Sequence, residues 1–390
     1  MDFALTSDQQ ALSDSVARFC ERNYAGSARY ALIKSDIGFS KENWQSFAEL
    51  GWLGAGLSED EGGFGGGAVE NAVIMERFGR SLVLEPFLST SIHGLQTLLG
   101  TEINQLRSEM VEAIVSGEMF LSVAHSEPAS RGDLNHCKTL ARKTGTKWTI
   151  SGHKSVVPGA SSASKFLVSA HTDEGIALFL VDPGADGIVL RSYRTLDNHR
   201  AADIWFNSAE TELMLAAPSC APAAIQRGFD HAILGVCAEA IGAMDVAIST
   251  TRDYLKTRHQ FGMPIGNFQA LQHRMADMFV EYELSRSILY AGLAAMGRNN
   301  SERTRTIAAM KSFISSAASF VGRNAVQLHG GIGVTEECLI SHYYRRLFVI
   351  SAQFGNESYH LQQMARHTIP FWTSEVEHVG AGPTTIVDRL

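Results

Sequence analysis

Cysteine is scarce: Cys20, Cys137, Cys220, Cys237 and Cys338 are the only five in 390 residues, and no two form a Cys-x-x-Cys pair. That spacing gives a disulfide framework or a structural zinc site nothing to build on, so a reducing cytosol is the expected setting. Positive charge is also short. Lys and Arg number 33 against 41 Asp and Glu, a formal charge of −8, which argues against nucleic acid as the main partner. An anionic small ligand held by a few local basic groups stays compatible with that balance. The opening residues, Met1-Asp2-Phe3-Ala4-Leu5-Thr6, lack the basic-then-apolar order of an export signal. No apolar run reaches the ~20 residues that span a bilayer, so no membrane span is expected. With 45% hydrophobic and 19% charged residues the composition is that of an ordinary globular protein. The length allows two or three packed units, since single cores stop growing at roughly 250–300 residues.

Periodicity divides the chain. Residues 1–118 read as a helical domain. Thr6 and Gln9 form a capping-box pattern ahead of the amphipathic run Leu12, Val16, Phe19. Further helices are expected over 41–52, where Trp44, Phe47 and Leu50 recur at threes, and around 68–82 and 104–116. The glycine-rich run 61–67 follows no strand and precedes no Lys-Ser/Thr, so it reads as an interhelical turn and not a phosphate loop. From 119 to 222 the period changes. Trp148 and Ile150 alternate with polar neighbours, and short strand-like runs at 166–169, 176–181 and 202–206 are separated by turn residues, the pattern of a small antiparallel β domain. Over 223–372 helical spacing returns. Leu234, Cys237, Ile241, Met244, Ile248, Thr251 and Leu255 make the stripe of a long bundle helix. The tail, 373–390, contains Gly380-Ala381-Gly382-Pro383 and is expected to be loosely held.

The chemistry concentrates in residues 254–278. Arg258 and His259 precede Phe261-Gly262-Met263-Pro264 and a polar helix start at Phe268-Gln269. That order suits a loop gripping a phosphate-bearing ligand where two long helices meet. An arginine fork makes charge-assisted, often bidentate contacts with a pyrophosphate. Taken alone, Arg258 also suits a plain helix C-terminus, where cations are favourable. Later, Gln327-Leu328-His329-Gly330-Gly331-Ile332-Gly333 offers backbone amides free of side chains for close approach by a cofactor. His329 within it reads as a structural histidine.

These two stretches, in this order, resemble the signature of acyl-CoA dehydrogenases, flavoenzymes that take two hydrogens from the α and β carbons of a thioester. The resemblance extends over about residues 1–370, because an N-terminal helical domain, a central antiparallel β-barrel or sandwich domain and a C-terminal four-helix bundle is the family's order, an α+β fold that is mostly α. Within the family the chain most resembles the small subunits of pimeloyl-CoA-type dehydrogenases. The stretches 61–67, Leu84-Glu85-Pro86-Phe87, Lys154-Ser155-Val156-Val157, 237–244 and 342–347 carry that likeness. The resemblance implies FAD as cofactor, an acyl-CoA substrate and an electron-transfer flavoprotein-type acceptor. It also implies a homotetramer, or an α2β2 assembly with a larger dehydrogenase subunit. By the same resemblance, Arg258 and Gln260 hold the adenine dinucleotide half of the flavin. Phe261 packs against its adenine or ribityl region, and Gln269 contacts the adenosine end. Gln327, Gly330 and Gly331 complete that contact across a dimer, the arginine loop of one chain meeting the glycine platform of its neighbour. Ser126, in Ser126-Glu127-Pro128, donates toward the isoalloxazine.

Two departures from the family pattern matter. Val156 and Pro158 stand where many relatives place a tryptophan and a Thr or Ser beside the flavin. The second concerns the base. Removing a proton α to a thioester needs a positioned carboxylate, with hydride leaving to flavin N5. The usual glutamate position, aligned on Gly355, holds Phe354, and the alternative on the helix after Phe229-Asp230 holds Ala232. Glu239 lies two turns further along that helix on the same face, roughly 10 Å away. Glu239 and Glu357 are the remaining candidates. Two other readings stay open: a partner subunit that completes a flavin site while the base lies elsewhere, and a flavin oxidase or monooxygenase on the same fold.

Overall fold

The fold is that of a computed structural model, which describes residues 4–24 and 27–368; the tail expected at 373–390 lies outside the described residues. The N-terminal part is helical. Helix α1 (Ser7–Asn23) starts at Thr6, whose hydroxyl accepts from Gln9 N at 3.2 Å while Gln9 Oε1 accepts from Thr6 N at 3.0 Å, the reciprocal capping box. Helices α2 (Ser27–Lys34), α3 (Lys41–Glu49) and α4 (Ala68–Ser81) follow. A π-helical segment, Leu88–Gly94, then runs directly into α5 (Leu95–Leu99), and α6 (Gln105–Val115) closes the region. The sequence reading finds neither α2 nor the π-helical segment. Residues 89–99 are buried on every side, so they carry no amphipathic stripe to detect.

The middle region is one sheet. Its strands are β1 (Leu121–Ala124), β2 (Leu140–Thr144), β3 (Lys147–Pro158), β4 (Lys165–Thr172), β5 (Gly175–Val181), β6 (Ile188–Arg194), β7 (Arg200–Thr211) and β8 (Met214–Ala216). They lie in the order β6-β7-β3-β2-β4-β5-β8, with β1 beside β4. The sheet is mixed, not wholly antiparallel as expected: β1 pairs with β4 in parallel, Leu121 opposite Lys165, and Leu140 of β2 opposes His171 in the same sense. The β2–β3 hairpin intervenes between β1 and β4, which gives the chain length enough to return in the same direction.

Helices α7 (Ala221–Thr257), α8 (Gln269–Ala295), α9 (Asn300–His329) and α10 (Leu339–Ala352) form the bundle, with α11 (Glu357–Thr368) against α9. A small hairpin, β9 (His259–Gln260) and β10 (Met263–Pro264), joins α7 to α8. At 37 residues α7 is about 55 Å long and serves both halves of the molecule. It packs on α4 through glycines. A Cβ on Gly79 would lie 2.0 Å from the Glu239 carbonyl oxygen, and one on Gly242 would lie 1.9 Å from that of Glu76. By length and mean hydropathy (1.7) α7 could cross a bilayer, which the search for unbroken apolar runs overlooks. Yet 78% of its most apolar window is buried inside the protein, so that hydrophobicity is spent on the core.

Candidate active site

A cavity of about 810 Å³ lies where the N-terminal helices, the sheet and the bundle meet. His93, Ser126, Val156, Phe229, Glu239 and Phe354 are among its lining residues. A second, more polar cavity of about 530 Å³ shares Phe229 and Phe354 with the first, so these two rings stand between them.

The sheet side is pinned by a buried ion pair. Lys154 Nζ, on β3, donates to Glu127 Oε1 at 2.9 Å, to the His125 carbonyl at 3.1 Å and to Ser169 Oγ at 3.1 Å. Glu127 also accepts from the backbone amides of Lys138 and Thr139 and from the Thr139 hydroxyl. Burial alone would raise the Glu127 carboxyl, but the ammonium of Lys154 and these donors outweigh it and bring it down to about 2. Ser126 is thereby fixed: its carbonyl accepts from Ser155 N at 2.9 Å, and the residue lines the cavity. Next to it Val156 adopts φ +51°, in a β-bulge between Lys154 and Val157, with its N–H donated to Asp203 Oδ1 at 2.9 Å. A β-branched residue at positive φ is strained, and such strain gathers at functional sites. The departure from the family pattern at Val156 is a backbone feature as well as a side-chain one.

The bundle side is held by a buried triad. Arg346 on α10 donates Nε to Glu239 Oε1 at 2.6 Å, Nη2 to Glu239 Oε2, and Nη1 to Asp197 Oδ2 at 2.6 Å. Asp197 sits in the turn between β6 and β7, so the triad ties the sheet to α7 and α10. Burial would raise the Asp197 carboxyl, but His199 and Arg346 together hold it well below the ordinary carboxylate range. Burial would lower the Arg346 guanidinium, but its two carboxylates hold it above its usual value. Glu239 therefore reaches the cavity with both oxygens engaged by a guanidinium. Its geometry is that of a structural anion bridging two helices. Glu357 begins α11 on the surface and borders neither cavity.

Phe354 is also at positive φ (+60°), and its carbonyl accepts from His360 Nε2 at 2.9 Å. Its ring meets those of His93 and Phe229 edge-on, with centroids 5.2 and 5.6 Å away. The position that carries a glutamate in the family is thus filled by a ring in an aromatic cluster, and Ala232 is fully buried. Sequence reasoning missed His93, His125, Asp197 and the role of Arg346. Each is an isolated residue whose meaning comes from burial beside residues remote in sequence.

The remaining candidates gather elsewhere, at the far end of α7. Arg258 is its C-cap, its N–H donated to Tyr254 O and its carbonyl accepting from Ile265 N at 2.8 Å. The guanidinium has no hydrogen bond or ion pair among the described residues. Gln260 opens a two-residue hairpin whose tip, Phe261-Gly262, has φ +55° and +79°, the primed turn that suits twisted strands. Phe261 is 88% exposed there, an apolar ring in a strained backbone that meets Phe268 edge-on at 6.0 Å. Gln269, Gln327, Gly330 and Gly331 are likewise exposed, and a Cβ on either glycine would meet nothing within 4 Å. Tyr254 stacks on His329 at 4.4 Å and donates its hydroxyl to the His329 carbonyl at 3.3 Å. That contact roots the arginine hairpin and the glycine segment together in one protomer. Within a protomer the arginine hairpin and the glycine segment are therefore neighbours. His329 is structural, buried and bonded through Nδ1 to Ala325 O at 2.8 Å.

The two places fit the two ends of a flavin dinucleotide. An unpaired guanidinium, exposed amides and open glycine backbone suit phosphates and adenosine; the enclosed cavity beside Ser126 suits a flat ring and an acyl chain. No residue of the outer set borders the cavity. From Glu239 to Arg258 is nineteen residues of helix, about 28 Å.

Comparison with known proteins agrees with this three-part fold. Residues 6–118, 122–209 and 222–369 match the family models described as the acyl-CoA dehydrogenase N-terminal, middle and C-terminal domains. Acryloyl-CoA reductase (NADH) of Anaerotignum propionicum is 25% identical over 382 residues, which cover 95% of this chain and 96% of that one. Among solved structures, a variant of the Tcur3481-Tcur3483 steroid ACAD superposes with a TM-score of 0.84 at 28% identity, covering 92% of this chain and 97% of that one. The ChsE4-ChsE5 complex from Mycobacterium tuberculosis shares the fold, with a TM-score of 0.86 at 24% identity and coverage of 94% and 98%.

Proposed function

The chain belongs to the acyl-CoA dehydrogenase family, FAD-binding oxidoreductases that act on CH–CH groups, and we propose that it takes part in α,β-dehydrogenation of an acyl-CoA thioester at a flavin site shared between protomers. What supports this reading is the placement of candidate ligand-facing groups in two places, an enclosed cavity and an exposed surface at the far end of α7, about 28 Å along that helix from Glu239. When bound, FAD supplies the acceptor for the hydride that leaves Cβ. The chain's own residues bind and orient. Ser126 offers a hydroxyl at the ring, Arg258 a forked cation to the pyrophosphate, and Gly330 and Gly331 backbone close enough for contact; Gln260, Phe261, Gln269 and Gln327 surround the adenosine half. Electrons would pass to an electron-transfer flavoprotein-type acceptor, and the setting we assign is the cytoplasm.

A second reading is favoured by a specific observation: neither family base position carries a carboxylate, and neither glutamate candidate is free in the cavity. Phe354 and Ala232 fill the two family base positions, Glu239 is bound by Arg346, and Glu357 is outside. On this reading the chain is one member of an α2β2 assembly, akin to pimeloyl-CoA-type small subunits, and the base comes from a larger partner. The Tcur3481-Tcur3483 and ChsE4-ChsE5 structures each name two different chains, which supports looking for one. The test is to prepare the chain alone and with a co-encoded, larger dehydrogenase-like protein. A yellow protein that bleaches anaerobically with acyl-CoA on its own supports the first reading. Bleaching only with the partner supports the second. Protein that stays colourless in excess FAD, alone and with the partner, would overturn both.

A further inference from the structure

We propose that the Phe354 ring is a gate for the acyl chain: it closes the passage between the polar cavity and the enclosed one, and an acyl thioester spans both only by displacing it. The inference rests on the acyl-CoA reading above and deepens it by naming the residue that decides which acyl groups enter.

Four residues line both cavities: Gly132, Leu134, Phe229 and Phe354. The two phenylalanines close the partition together with His93. His93 meets Phe229 at 4.7 Å and Phe354 at 5.2 Å, and Phe229 meets Phe354 at 5.6 Å, each pair near perpendicular. Three rings in mutual edge contact leave no room for a methylene chain between them. The two sides of the partition differ in chemistry. Gln226, Asp230, Asn300, Arg303, Thr304 and Gln363 line the polar cavity, groups that suit the amides and hydroxyl of a pantetheine arm. Met75, Phe78, Val83, Leu84, Phe87 and Leu88 line the enclosed one and suit an alkyl tail. The thioester that joins arm to tail would fall at the partition. Of the three rings, Phe354 is the one placed to move. His93 and Phe229 are 2% and 4% exposed and stand inside helical segments. Phe354 is half-buried in the short connection between α10 and α11. The backbone of that connection is held. The Phe354 carbonyl accepts from His360 Nε2, a Cβ on Gly355 would lie 2.6 Å from the Tyr359 ring, and one on Gly132 would lie 2.9 Å from the Gly355 Cα. A displacement of the ring is therefore a rotation of the side chain on a fixed turn. Phe354 and Gly355 are both left-handed, φ +60° and +98°, and glycine would adopt the first of these angles without the strain a phenylalanine carries. Backbone strain of this kind gathers at ligand clamps and switch regions.

The experiment is isothermal titration of the FAD-loaded assembly with free coenzyme A and with butyryl-, octanoyl- and dodecanoyl-CoA. The ratio of acyl-CoA to coenzyme A affinity should rise about tenfold or more in Phe354→Gly, with the longer chains gaining more than butyryl. Phe354→Leu, which keeps bulk without the ring, should fall between variant and parent. In stopped flow, octanoyl-CoA binding to the parent should level off at a limiting rate as ligand is raised, because the gate must open first, and Phe354→Gly should remove that limit. An unchanged ratio, or an equal gain for coenzyme A and its thioesters, overturns this inference and leaves the acyl-CoA reading standing. Failure of coenzyme A and every thioester to bind parent and variants alike overturns the acyl-CoA reading itself. Release of FAD by both variants would mean that the ring serves the cofactor, which also overturns the inference.

Discussion

The enclosed cavity and the exposed end of α7 are built on opposite principles. Around the cavity two buried charge clusters are paired within the chain: Lys154 with Glu127, and Arg346 with Glu239 and Asp197. At the exposed end the Arg258 guanidinium has no ion pair among the described residues, and Phe261 and the Gly330–Gly331 backbone are exposed. A buried charge that loses its counterpart is expensive, whereas an exposed group without one costs the folded chain little. The first region should therefore report its mutations as lost stability, and the second as lost ligand or lost assembly with stability intact.

The sharpest way to break that contrast is Arg346→Met. It leaves two buried carboxylates facing each other without a cation and should destabilise the chain by roughly 3–5 kcal/mol, read by urea denaturation. Adding Glu239→Gln and Asp197→Asn to it should recover a substantial part. An unchanged denaturation midpoint for the single variant would show that the triad does not hold the two regions together.

Acid should separate the regions next. His93 and His125 stay neutral in the fold to about pH 3, while an unfolded histidine takes a proton near 6.5. Protons then favour the unfolded chain, so this stabilisation is complete above about pH 6.5 and is lost as pH falls toward 3. Glu127 behaves alike at lower pH: its stabilisation is complete above about 4.5 and lost toward 2, on the order of 3 kcal/mol. Urea midpoints measured from pH 8 to 3 should slope downward from about 6.5. Glu127→Gln should flatten the lower part of the curve, and H93F with H125F the upper part. A profile level down to pH 4 would contradict the burial assigned to these rings.

The same contrast explains what the sequence made legible. The cofactor end is written in contiguous motifs, because a hairpin and a helix terminus each supply several neighbours at once: Arg258 to Phe261, Gln327 to Gly331. The α7 stripe was readable for a similar reason, having one face that repeats. The cavity is assembled from His93, His125, Asp197, Glu239 and Arg346, on elements scattered across the chain, and no spacing links them. Glu239 stood as a candidate base in the sequence because the arginine that claims it lies 107 residues away. Residues 89–99 escaped because a segment buried on all sides has no period, and the parallel β1–β4 pairing because turn residues mark where strands end and not which way they return.

The smallest change in stability belongs to the exposed end, and there it is the most informative one. Arg258→Ala removes an exposed side chain with no hydrogen bond or ion pair among the described residues, so the apo protein should keep its stability within about 0.5 kcal/mol. Flavin retention should fall by about tenfold or more, because a charge-assisted contact to phosphate is lost. Gly331→Val probes the same surface from the backbone side. Its Cβ would have open space within the protomer, so folding should be unaffected, and any loss of flavin must come from a ligand or neighbour that needs that space. Both variants keeping FAD as tightly as the parent would move the cofactor away from this surface. Both losing stability instead would erase the distinction between the two regions.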